Sequence, residues 1–170
     1  MNGLRKPRQV RWTKCADTIS TAILGATKLT ATERASVLEP LQDAHKALRE
    51  GVATQWQWTQ FASAMEVAQA IEQRGVVRGL KAHLYAAELA LQAIERRAMR
   101  CKTWQAVPLD LEELDTLAIA INLHEFQLTQ LGASEFHAAV KTALGHITSS
   151  AGQVLSIKPP SIESRSHAAS

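Results

Sequence analysis

At 170 residues and 18.6 kDa the chain has the length of one domain, and a core of that size buries enough surface to need no disulfide or metal staple. The composition is 46% hydrophobic but only 5% aromatic; with Ala, Leu and Gln plentiful it favours helices over sheets, because unbranched side chains lose little rotamer freedom in a helix. The net charge of +3 is unevenly spread: residues 1–14 carry +5, residues 15–147 carry −3 and residues 148–170 carry +1, so the basicity belongs to an arm and not to a charged fold.

Residues 1–13 read as a basic flexible arm, with Gly3 and Pro7 set among charges. Arg5, Lys6, Arg8, Arg11 and Lys14 surround Trp12, which joins phosphate-neutralising charge to one ring able to stack on a base. That chemistry makes nucleic acid a candidate partner of the arm. No apolar run of secretory or membrane-spanning length follows, since Asp17, Thr18, Ser20 and Thr21 interrupt the only stretch available. Cys15 and Cys101 lie far apart in no paired motif; they read as free thiols of a reducing compartment, with one long-range disulfide as the alternative. A bacterial, cytoplasmic setting is the expected localisation.

Residues 14–147 form the expected helical domain. Over 14–27, Ala16, Ile19, Ala22 and Ile23 recur at helical spacing and end near Gly25. Thr30 with Glu33 has the form of a capping box and opens a helix carrying Leu38, Leu41 and Leu48, bent at Pro40 and stopped at Gly51. Thr54 with Gln57 opens another, running to Gln73 with Phe61, Ala64, Ala68 and Ile71 inward and Gly75 as its stop. Leu80, Leu84, Ala87, Leu91, Ile94, Ala98 and Cys101 alternate steps of four and three, a seam that faces a neighbouring helix. Arg96, Arg97, Arg100 and Lys102 suit the negative end of that helix dipole.

After a loop holding Trp104 and Pro108, Asp110 with Glu113 marks a further helix start, and Leu114, Leu117, Ile121, His124, Leu128 and Leu131 form the second long seam. Gly132 should end it, and Ser134 should cap a last helix through Phe136, Val140, Ala143, Leu144 and Ile147. Residues 148–170, rich in Ser with Pro159 and Pro160, read as a polar flexible tail. Short links between such helices predict an all-α, compact antiparallel bundle of five to six helices.

No motif for catalysis, metal or cofactor stands in the sequence. No acidic residue precedes a histidine by three, as a di-iron bundle requires, and neither a CxxC pair, an HExxH, a P-loop nor a GxGxxG occurs. His45 and His124 fall on apolar stripes, where they are expected to hydrogen-bond a neighbouring helix, fix register and make stability sensitive to pH.

Trp56 and Trp58 are the most informative aromatics. Two positions on a helix are about 200° apart, so one face cannot bury both rings; one should enter the core and the other meet the preceding loop or a partner. The competing expectation is that both pack at a bundle end over the loop holding Trp104. Tyr85, on the polar side of its helix, is a second surface candidate. The expected function is therefore a non-catalytic interaction protein, an accessory, inhibitory or adaptor subunit that binds a protein partner, or itself, through Trp56, Trp58 and Tyr85. A nucleic-acid-associated factor anchored by the arm is the alternative, and a helical enzyme with an unfamiliar site is the third reading. No cofactor, metal, membrane or small-molecule substrate is implied.

Overall fold

The computed structural model describes residue 25 and residues 27–149, and in them the chain forms α1 (Ala31–Arg49), α2 (Gln55–Gln73), α3 (Lys81–Ala98), α4 (Leu111–Gln130) and α5 (Ala133–Ser149). The arm at 1–13, most of the helix expected over 14–27 and residues 150–170 lie outside the described residues; Gly25, where that helix was to end, is helical.

Three starts are set by reciprocal capping. The side chains of Thr30, Thr54 and Asp110 accept from the backbone N–H groups of Glu33, Gln57 and Glu113, whose own side chains accept in return from the N-cap N–H. Each box satisfies donors that a helix start otherwise leaves orphaned. α3 starts differently, because Leu80 has no side chain able to cap. Glu72, eight residues upstream on α2, supplies the acceptor, its Oε1 taking the N–H groups of Gly79 at 2.9 Å and Leu80 at 3.2 Å. Gly75 and Gly79 both adopt positive φ, which lets the chain fold back tightly enough for that bond. Glu72→Ala is therefore expected to lower stability by about 1–2 kcal/mol, the size of a lost cap, read as a lower urea midpoint with an unchanged slope.

The last helix departs from expectation at both ends. Ser134 does not cap it: α5 begins at Ala133, the Ser134 hydroxyl donates to the Gly25 carbonyl at 2.8 Å, and Glu135 accepts the Gly132 N–H at 2.9 Å. The segment before α1 lies alongside this junction, with Leu29 N–H bonded to the Leu131 carbonyl and Ala133 N–H to that of Thr27. At the other end α5 runs through Thr148 and Ser149, two residues into the stretch read as tail. Their hydroxyls turn back onto the Leu144 and His146 carbonyls, at 2.7 and 2.9 Å, in place of competing for the helix backbone. α3 likewise ends before its predicted seam does. The chain turns at Met99–Lys102, with Lys102 at φ 63, and Cys101 is exposed in that turn. The thiol is thus no part of the core.

α1 to α4 run alternately up and down, and among the described helices α2 packs against all the others, including α5. α2 therefore buries more than the one stripe of Phe61, Ala64, Ala68 and Ile71 expected from its spacing. Trp58, Phe61, Ala62, Met65, Ala68, Ala70 and Ile71 are all buried, although they spread around most of the helix, as a helix enclosed on several sides requires. α1 passes through Pro40 without a break, since the ring stands on the exposed side.

The core also holds polar groups. Glu88 is buried on α3, where loss of water pushes its carboxyl pKa up while the Gln69 amide, donating at 3.0 Å, opposes the rise. His124 is fully buried, but its Nδ1 meets Gln127 of its own helix at 3.2 Å, and it is Gln127 that reaches α2, its Nε2 donating to the Ala68 carbonyl at 3.0 Å. The histidine was expected to bond a neighbouring helix itself. In α4 the pair sits three residues apart on one side, so the glutamine relays the contact. Because the Gln127 amide nitrogen faces Ala68, its oxygen faces His124, which assigns the histidine proton to Nδ1. His124 Nε2 is then a buried acceptor with no partner. His45 also lacks a helix-to-helix bond at Nε2 and packs its ring against Phe61, centroids 6.2 Å apart.

Candidate protein-binding site

One end of the bundle gathers the turn between α1 and α2 and the long loop between α3 and α4. Gly51 takes a left-handed φ of 69°, and a Cβ there would come 3.6 Å from the Pro108 backbone, so the two connections lie against each other. Trp104 clamps them, its indole N–H donating to the Ala53 carbonyl at 2.8 Å. Its ring stacks at a tilt on Trp58, with centroids 6.0 Å apart, and the Trp58 N–H donates to the Leu91 carbonyl on α3 at 3.0 Å. Arg97 closes the other side. Its guanidinium binds both oxygens of Glu113, at 2.6 and 2.7 Å, and the Pro108 carbonyl at 3.3 Å. The pairing raises the Arg97 pKa, chiefly through the hydrogen bonds to Glu113. Loops at this end are thereby tied to α2, α3 and α4.

On that platform stand the three most exposed large apolar side chains among the described residues: Leu111 at 80%, Trp56 at 70% and Val52 at 62%. The two tryptophans of α2 have separated as their rotation requires. Trp58 is 5% exposed and belongs to the core, so it drops out of the expected binding surface, whereas Trp56 is presented to solvent. Tyr85 is half-buried in the first turns of α3, at the far end of the bundle, and does not join Trp56. The arm residues Arg5, Lys6, Arg8, Arg11, Trp12 and Lys14 lie outside the described residues.

Val52 and Leu111 were not singled out in the sequence, although each carries a signal. Val52 follows a left-handed glycine in a turn, where an apolar side chain has no helix face to bury it, and Leu111 occupies the first helical position after an N-cap, one turn outside its seam.

Beside this end, the outer side of α3 carries a depression of about 410 Å³ lined by Ala93, Arg96, Arg97 and Arg100. Arg97 is held by Glu113, while Arg96 and Arg100 are exposed. Among the described residues no group of three or more His, Cys, Asp and Glu side chains is placed to hold a metal ion, and no helix is long and apolar enough to cross a membrane.

No protein-family model, no curated protein and no solved structure matches the chain.

Proposed function

We propose that the chain is a non-catalytic interaction protein, an accessory, inhibitory or adaptor subunit of the cytoplasm, which binds a protein partner through Trp56, Val52 and Leu111. The observation that carries this reading is the exposure of Trp56 on a braced end of the bundle. A large ring left in water stabilises nothing in the monomer, and tryptophan set on a rigid platform is the side chain most often found as a binding anchor. Val52 and Leu111 are exposed at the same end of the bundle, and the clamps made by Trp104 and Arg97 reduce the ordering entropy that binding would otherwise cost.

The test is a pull-down with the full chain from extracts of its own cells, comparing wild type with Trp56→Ser and with Leu144→Ser, an exposed apolar site on α5. A partner retained by wild type and by Leu144→Ser, and weakened by Trp56→Ser by about tenfold or more as for a hot-spot ring, supports the reading. Equal retention by all three contradicts it. Recovery of nucleic acid alone, lost on deleting residues 1–14, would favour the arm-anchored alternative.

A further inference from the structure

The outer sides of α3 and α4 carry a second pattern, which begins beside the Trp56 end and runs along both helices away from it. Along α3 and the turn after it, Ala82, Ala86, Leu89, Ala93, Arg96 and Arg100 recur at steps of four and three, all exposed except half-buried Ala93. Along α4, Glu112, Asp115, Ile119, Asn122 and Phe126 do the same, and all five are exposed. Each helix thus shows solvent a complete helical stripe in addition to the one it buries. Both stripes share one layout, charged at the end marked by Arg97 and Glu113 and uncharged beyond it, where Asn122 is the single polar side chain among apolar ones. The charges are opposite, basic on α3 and acidic on α4.

The stripes also differ in size. α3 offers mostly alanine, a shallow surface that lets another helix approach, while α4 offers Ile119 and Phe126 at 45% and 50% exposure. Their levels match. The ion pair between Arg97 and Glu113 aligns the two helices, and eight residues from it, about 12 Å at 1.5 Å per residue, Leu89 on α3 stands level with Ile121 on α4, between Ile119 and Leu123.

We propose that this face is where two copies of the chain meet, around a two-fold axis parallel to the bundle, with α3 of each copy against α4 of the other. That symmetry keeps every residue at its own level, so Arg96 and Arg100 meet the second copy's acidic stripe at Glu112 and Asp115. Leu89 and the alanines receive Ile119 and Phe126, and the same contacts form twice because a two-fold interface is self-complementary. Any copy turned end over end would set the charged ends against uncharged ones. The arginine-lined depression beside Ala93 is then a seat for the second copy's carboxylates.

Sedimentation of the full chain over rising concentration tests this. The expected species is a dimer of twice 18.6 kDa. Arg96→Glu with Arg100→Glu in one variant, and Glu112→Lys with Asp115→Lys in another, should each weaken dimerisation by more than about tenfold, because like charges then face each other. Mixing the two variants should restore a dimer, since each half of the mixed interface again pairs opposite charges. Leu89→Glu, which leaves both helix ends untouched, should also give a monomer with wild-type circular dichroism. A monomer at all concentrations, a dimer indifferent to these changes, or charge variants that fail to recover on mixing would overturn the proposal. So would loss of the dimer in Trp56→Ser, which would place self-association at the other site.

Discussion

Trp58→Ala is expected to destabilise the fold by about 3–5 kcal/mol, the range for removing a large aromatic from a packed core, while Trp56→Ala stays within about 0.5 kcal/mol of wild type. The residues are two apart on one helix and chemically identical, so the contrast comes entirely from what surrounds them. Trp58 fills the space between α2, α3 and the Trp104 ring and spends its N–H on the Leu91 carbonyl. Its removal leaves a cavity and unseats Trp104, which in turn holds the Ala53 carbonyl. Trp56 has only solvent around most of its ring. Urea unfolding followed by circular dichroism checks both, and similar losses for the two variants would show that the bundle end is built differently.

His124 should make the fold lose about 2 kcal/mol between pH 7 and pH 5. Burial lowers its pKa to about 4 in the folded state, against the weaker raising effect of Gln127, whereas an unfolded chain has the ordinary value near 6.5. Above about pH 6.5 both states hold the ring neutral and stability is unaffected. As pH falls through that value the unfolded chain binds a proton that the folded chain refuses, and stability drains away until about pH 4, where the folded state protonates too. The expected window of sensitivity therefore lies on the acid side of neutrality.

His45 acts in the same direction, its pKa lowered first by burial and then by Arg49. Glu88 acts in the opposite one, since its raised carboxyl pKa means that acidification relieves a buried charge. His124→Gln isolates the histidine: the variant should lose less stability than wild type between pH 7 and pH 5, by about 2 kcal/mol. Equal losses in the two proteins would show that the ring titrates freely in the fold.

The parts of the fold legible in the sequence were those encoded locally. Capping boxes at Thr30, Thr54 and Asp110 need only a residue and its third neighbour, and both the left-handed glycines and the seams of α3 and α4 follow from short-range spacing. What could not be read depends on chain segments meeting. Glu72 caps α3 across a turn of two glycines, Gln127 carries the contact expected of His124, and Ser134 bonds Gly25 from more than a hundred residues away.

The same division applies to the site. Rotation along α2 showed that Trp56 and Trp58 must part, but not which would face α3, because that choice is made by the Leu91 carbonyl and by Trp104 arriving from a distant loop. Tyr85 had the polar neighbours of a surface residue, yet its place near the start of α3 puts it at the wrong end. The outer stripes of α3 and α4 were hidden by alanine, which reads equally well as inside or outside until the buried side of each helix is known.

Photo-crosslinking from position 56 tests the central claim most directly. With a benzophenone amino acid in place of Trp56 in the full chain, irradiation in extracts of its own cells should give a discrete adduct with one protein, and the same label in place of exposed Gln42 on α1 should not. Identical adducts from the two positions, or none from position 56, would contradict a partner-binding role for this end of the bundle.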